Sequence, residues 1–392
     1  MRRVAIVGAG QTPYGDHPTL GIKEMFNAAL GDAMQSVDRG VDPREIQAAY
    51  VGTLGSGGFQ IGQPGALVAG YAGLPPIPVY HLENACASGG FALLAGVTAI
   101  LSGLYDLVLV AGMEKMTDLS SAAAKYWLGV SGDTEFERLA GLTFAGLFAL
   151  TAQRYMLDYG MPRETLSRVA VKNHRNGALN PKAHLRRAIS LERALAGPPV
   201  AHPLNVFDCC PISDGAAVVL LASEERARSL TDAPVFLRGF GSGSDHLALH
   251  SRDSVTSLRA SRKAAEDAYR MAGVGPGDVA FAEVHDCFTI AEIVAYEDLG
   301  FAQPGQGWRL IEEGATTAEG RLPVNLSGGL KAKGHPLGAT GVGQAYEVFN
   351  QLRGEAQAPE RQVRRGGLAL THNIGGIGGT AVVCIYEGGE GW

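Results

Sequence analysis

Short, nearly uninterrupted apolar runs punctuate this chain, and most of them end at a glycine-rich turn. Val4-Ala5-Ile6-Val7, Leu107–Ala111, Val235-Phe236-Leu237, Val279–Val284 and Leu368–Thr371 have the length of strands. They are too continuous for strands with one wet face, so strands covered on both sides are predicted. Helical spacing of apolar positions over about Ile22–Val37 and Ser257–Ala272 predicts amphipathic helices between them. Strand and helix alternate, which places the chain in the α/β class, with mixed sheets under helices on both faces.

The pattern occurs twice. Gly40-Val41-Asp42-Pro43-Arg44-Glu45-Ile46-Gln47-Ala48-Ala49-Tyr50-Val51 aligns without a gap on Gly273-Val274-Gly275-Pro276-Gly277-Asp278-Val279-Ala280-Phe281-Ala282-Glu283-Val284. A helical pattern precedes each copy and a strand completes it. The closing strands Gly215–Leu221 and Thr380–Tyr386 also correspond, as do the helices expected after Cys86 and after His335. Two duplicated mixed-sheet halves follow: 1–117 plus 206–228, and 234–392. The repeat is far too long for a solenoid. The first half is longer by about 70 residues, and the excess, 118–205, reads as an inserted domain. It is rich in bases, Lys172, Arg175 and Arg186 among them. These suit a phosphate-bearing ligand, although a solvated helix surface would look the same.

Ala87–Tyr105 is 19 residues without a charge. Its Gly, Ala and Ser content and the early stop at Asp106 favour a buried central helix over a membrane span. A net charge of -6 disfavours a nucleic-acid partner. Five cysteines without zinc-type spacing, and an N-terminus that enters a strand at once, lead us to expect a cytoplasmic protein with no signal peptide. No metal site is expected.

The chemistry sits at strand ends. Cys86, in Glu83-Asn84-Ala85-Cys86-Ala87-Ser88-Gly89-Gly90, precedes the long apolar helix, where the helix dipole would favour a thiolate and free amides could hold an oxyanion. An inert buried cysteine fits the same pattern. His335, in Gly334-His335-Pro336, is placed to take a thiol proton. His285-Asp286-Cys287-Phe288 follows a strand and offers a second thiol and imidazole. In His372-Asn373-Ile374-Gly375-Gly376, a backbone N–H, that of Gly375, is the expected oxyanion donor. Gly8-Ala9-Gly10 lacks the remaining features of a dinucleotide fingerprint.

In order along the chain, these motifs, with Gly112-Met113-Glu114-Lys115-Met116, Val171-Lys172-Asn173-His174-Arg175 and Ser213-Asp214-Gly215-Ala216-Ala217, resemble the thiolase family, in its sterol-carrier-protein-type branch. The resemblance covers essentially the whole chain. It implies a layered α/β/α/β/α thiolase fold whose inserted loop domain binds coenzyme A. Cys86 would be the nucleophile, His335 its activator and an oxyanion donor, Cys287 the second acid/base, and His285 an oxyanion or orienting group. Lys172, Arg175 and Arg186 would meet the phosphates of coenzyme A, a substrate and not a bound cofactor. Many thiolases carry a second catalytic cysteine in a Cys-x-Gly motif; here Asn373-Ile374-Gly375 stands there, and the resemblance gives the role to Cys287. No fused sterol-carrier domain and no peroxisomal address are expected at the C-terminus. A homodimer or homotetramer is implied, and some relatives in this branch work in complexes, which leaves a small partner protein as an option. A partner-dependent acyltransferase or retro-aldolase, and a non-catalytic acyl-CoA or lipid carrier, are the alternative functions.

Overall fold

The computed structural model describes residues 2–363 and 366–389, so the last three residues of the C-terminal tract lie outside it. The first half runs β1 (Val4–Gln11), α1 (Ile22–Gln35), β2 (Ala48–Gly52), α2 (Pro64–Tyr71), β3 (Val79–Leu82), α3 (Ser88–Leu101) and β4 (Leu107–Glu114). A largely helical excursion follows: α4 (Ser121–Leu128), α5 (Phe144–Tyr159), α6 (Arg163–Leu179), α7 (Leu191–Leu195) and the hairpin of β5 (Pro199–Ala201) and β6 (Leu204–Asn205). The half closes with β7 (Gly215–Ser223) and α8 (Glu224–Ala227). The second half runs β8 (Val235–Ser244), α9 (Arg259–Ala272), β9 (Val279–Glu283), α10 (Thr289–Asp298), α11 (Gly307–Glu312), α12 (Gly329–Lys333), α13 (Leu337–Leu352), β10 (Leu368–Gly375) and β11 (Thr380–Gly388).

Strand order shows the duplication directly. The strands run β3-β2-β4-β7-β1-β8-β11-β10-β9. Read outward from the middle, β1-β7-β4-β2 is repeated by β8-β11-β10-β9. In each half the first two pairings are antiparallel and the third is parallel. The halves join where Val4, Ala5 and Ile6 pair with Leu237, Phe236 and Val235.

Period-two alternation sorts the side chains into layers. Val4 and Ile6 face inward with Val108, Val110, Val219 and Leu221, against Leu93 and Val97 of α3 and Val342 and Phe349 of α13. Ala369, Val382 and Cys384 of the second half close the same layer from the other side. Ala5 and Val7 face outward onto Met25, Phe26 and Leu30 of α1. The outer face of the second half, including Val383 and Ile385, lies under Ala264 and Ala268 of α9. The result is helix, sheet, helix, sheet, helix, as expected. The uncharged run Ala87–Tyr105 is largely the central helix α3, and among the described residues no helix is long and apolar enough to cross a membrane.

The central helix α13 approaches strand β4 backbone to backbone. A Cβ on Gly112 of β4 would lie 2.1 Å from Gly338 O and 2.8 Å from Ala339 Cα of α13. Neither neighbour is a flexible side chain that could swing away. Gly112→Ala is therefore expected to lower stability by about 1–3 kcal/mol, the range for an overpacked core. Urea unfolding at fixed protein concentration checks this; an unchanged midpoint would show that the crossing has slack.

Candidate active site

The turn before α3 presents Cys86. Ala85 takes a left-handed φ of 51°, unfavourable for a side chain with a Cβ and costing on the order of 1–2 kcal/mol. Its neighbours hold it there. Ala85 N–H donates to Glu83 Oε1 at 2.6 Å, Ser88 Oγ donates to Ala85 O at 2.6 Å, and Asn84 N–H donates to Ser88 Oγ at 2.9 Å.

His335 follows α12 and is buried, its N–H donating to Ser213 Oγ at 3.2 Å. Nδ1 lies 2.6 Å from Thr340 Oγ1, which donates its own proton to Pro336 O at 3.0 Å. The hydroxyl thus accepts from Nδ1–H, leaving a lone pair on Nε2. Burial pushes this imidazole down to about 3, so it is neutral at rest.

His285, at the end of β9, has the opposite arrangement. Its Nδ1 faces Asn373 Nδ2 at 3.1 Å and Ile374 N–H at 3.4 Å, both donors, so the ring proton is on Nε2. Burial, then His335 and His372, hold it far below the usual range. The Nε2 atoms of both histidines are buried without a hydrogen-bond partner among the described residues. Cys86 Sγ and one ring nitrogen from each histidine lie within 4.8 Å of one another, and the rings meet edge to face with centroids 5.0 Å apart. Such a trio could suit a metal, but the proton on His285 Nε2 occupies the direction a ligand lone pair would need.

Asp286 anchors this loop to the turn before His335, accepting from Leu330 N–H at 2.6 Å, Lys331 N–H at 3.2 Å and Asn173 Nδ2 at 2.7 Å. Burial first, then Glu292, raises its carboxyl to about 7. Cys287 is buried, and its carbonyl accepts from Cys210 N–H at 3.0 Å. A cavity of about 430 Å³ is lined by Cys86, Cys287 and His335 together with Lys125, Phe148 and Phe288. Phe148 and Phe288 stack with centroids 4.7 Å apart.

Two family models match the chain: "Thiolase, N-terminal domain" over residues 4–192 and "Thiolase C-terminal domain-like" over residues 241–388. The chain belongs to the thiolase family. The acetyl-CoA acetyltransferase of Methanothermobacter thermautotrophicus is 45% identical, the match covering 99% of this chain and 100% of the relative. Sterol carrier protein 2 of Oryctolagus cuniculus is 33% identical over 99% of this chain and 72% of its own length. Among solved structures, an Ltp2–ChsH2(DUF35) aldolase superposes with a TM-score of 0.85 at 24% identity, covering 98% of this chain and 97% of its own. At that identity the likeness speaks for the fold alone.

Several expectations within this thiolase need correction. Cys86 has no depressed pKa: burial pushes the thiol up to about 12, outweighing the amides of Gly376 and Cys86 itself. A free helix-end amide that could have helped, Gly90 N–H, is spent on Asn373 Oδ1 at 3.2 Å. The amide of Gly376, the residue after Gly375, also acts on the Cys86 thiol, to lower it. Gly375 is still paired in the strand, opposite Thr380. Lys172 is unsuited to a phosphate, because its ammonium is buried and its three N–H groups meet Glu292 at 2.9 Å, Asn173 Oδ1 at 2.6 Å and Val324 O at 2.9 Å. Arg175, paired with Glu319 at 2.6 Å, and Arg186 are both exposed, which leaves the expectation for these two standing. None of these three lines the cavity, whereas Lys125, passed over in the sequence, does. Of the aromatic residues of 118–160, Phe144 and Phe148 line it, while Tyr126 and Phe136 are largely exposed. Asn373 and Thr340 were also passed over. Thr340, five residues after His335, carried a readable signal in that spacing; Asn373 carried none beyond standing where a cysteine was expected.

A thiol pushed up to about 12 gives a direct expectation. Iodoacetamide labelling of Cys86 in the free enzyme, followed by peptide mass mapping, should accelerate about tenfold per pH unit from about pH 7 to 10, since only thiolate reacts. A plateau below about pH 8.5 would mean that the thiolate is stabilised at rest after all.

Proposed function

We propose that this thiolase exchanges acyl groups through a Cys86 acyl-enzyme, cleaving 3-ketoacyl-CoA with coenzyme A or condensing acetyl-CoA with an acyl-CoA. The observation that carries this reading is the grouping of Cys86 Sγ with one ring nitrogen each of His285 and His335 within 4.8 Å, the Nε2 atoms of both rings being buried and unpartnered among the described residues. His335 Nε2 takes the thiol proton as sulfur attacks the thioester carbon, and then carries an N–H of its own. The amides of Cys86 and Gly376 stabilise the tetrahedral oxyanion. The N–H groups of His285 and protonated His335 hold the oxygen of the acetyl-CoA enolate. Cys287 removes the proton from acetyl-CoA in synthesis and returns it in cleavage. In synthesis Cys287 first gives its own proton to the departing coenzyme A thiolate, and in cleavage it regains one from the incoming coenzyme A thiol; burial, then Cys210 and Cys86, push the thiol well up, so the thiolate exists only between those transfers.

The segment 118–205 is assigned to coenzyme A and acyl binding, because Lys125, Phe144, Phe148 and Val200 come from it to the cavity. Lys125, Arg175 and Arg186 are the cations offered to the phosphates. A homodimer or homotetramer is the proposed state: β3 ends the sheet with Tyr80 exposed, an edge suited to a partner strand. A requirement for a small second chain, as in the assembled aldolase, would show as inactivity of the purified single chain. Five free thiols fit a reducing compartment such as the cytoplasm.

Intact-protein mass after mixing with acetoacetyl-CoA tests the reading. Wild type should gain one acetyl group and Cys86→Ala none. Cys287→Ala should still acylate yet lose carbon–carbon exchange by a factor of about 10²–10⁴, the range for a general acid/base. Full thiolysis by Cys287→Ala would remove that residue from the mechanism.

A further inference from the structure

The amide of Asn373 is held so that it can face His285 in one way only. Its Nδ2 donates to Cys86 O at 3.0 Å, and its Oδ1 accepts from Gly90 N–H at 3.2 Å. Flipping the amide would set oxygen against the Cys86 carbonyl and NH₂ against the Gly90 amide, two repulsions for two hydrogen bonds. The second Nδ2 proton is left pointing at His285 Nδ1, 3.1 Å away, where Ile374 N–H also donates.

We propose that Asn373 is a positioning residue that fixes His285 as the Nε2–H tautomer, so that this ring is always a donor to the substrate oxygen and never a base. The inference rests on the reading of His285 as an enolate donor. Asn373 thereby does more than fill the place of a cysteine. A thiol there could not lock both the Cys86 carbonyl and the imidazole. The titratable groups facing His285 offer no competing control. His335 and His372 are neutral imidazoles, and Cys86 is a thiol. The carboxylate of Asp286, next in the chain, is engaged with Leu330, Lys331 and Asn173.

Asn373→Asp reverses the instruction, because a carboxylate only accepts. His285 Nδ1 must then carry a proton. The imidazolium, favoured at low pH by the new carboxylate, still has Nε2–H; the neutral ring formed at higher pH does not. The variant's kcat should fall by roughly 10²-fold between about pH 6 and 9, the scale of one lost oxyanion donor, with KM changing by less than about threefold. Wild type should show no such limb. A variant profile shaped like that of wild type would overturn the proposal. His285→Ala separates the two layers: full activity there removes the donor reading itself, while a slow His285→Ala beside a wild-type-shaped Asn373→Asp profile removes only the tautomer control. Should Asn373→Asp fail to fold, ¹⁵N-histidine spectra of the wild-type protein decide. A lone-pair-type His285 Nδ1 supports the proposal, and a protonated Nδ1 overturns it.

Discussion

The site depends on two helices crossing at backbone contact. A Cβ on Gly89 of α3 would lie 2.4 Å from Gly338 O, and one on Gly341 of α13 would lie 2.4 Å from Gly90 N. No Cβ fits at these glycines. Cys86 lies just before α3 and His335 just before α13, so the closeness of the crossing sets the distance between thiol and base. Duplication supplies the two helices as equivalent elements of the two halves. Their union in one layer turns two ordinary strand-to-helix turns into a site that neither half contains.

Burial then decides how the site works. Desolvation raises the cysteines and lowers the histidines, so the resting thiols and imidazoles of the site are neutral. Creating thiolate and imidazolium in the empty site is costly, because separated charge in a dry cavity has few dipoles to meet it. In the proposed reaction, the oxygen that gathers negative charge as sulfur attacks is met by backbone amides. The proton transfer is thereby tied to the presence of substrate, and the thiol is kept from indiscriminate reaction between turnovers. Asp286, raised to about 7, extends the same logic to the support: it is held by two amides and an Asn, not by a cation.

Much of this could be read from the chain, because strands buried on both faces write continuous apolar runs and a duplicated turn repeats its Gly, Pro and acidic spacing. Cys86, His335, His285 and Cys287 were legible because each stands at the end of such a run. What escaped depended on contacts distant in sequence. Lys172 looks like one more base on a polar helix until Glu292 and Val324 fold onto it. The direction of the Cys86 shift turns on how much of the cavity wall comes from 118–212, which no local pattern records. Gly375 and Gly376 are indistinguishable in a glycine-rich string, and only strand pairing with Thr380 keeps the first while releasing the second.

The exchange of Asn373 for a cysteine illustrates how such a site tolerates rearrangement. β9 and β10 are parallel neighbours, paired from Val279 and Leu368 onward with one register shift after Leu368, so the residues following β9 and those after β10 open onto the same cavity. A thiol moved from one strand end to the next can still reach a substrate held at Cys86. The vacated position cannot be left apolar, however, because the Cys86 carbonyl, the Gly90 amide and His285 Nδ1 all turn toward it. An amide has the donors and the acceptor to satisfy all three, and a thiol does not. With the role proposed for Cys287, moving the thiol away without installing the asparagine would leave those three buried groups unpaired.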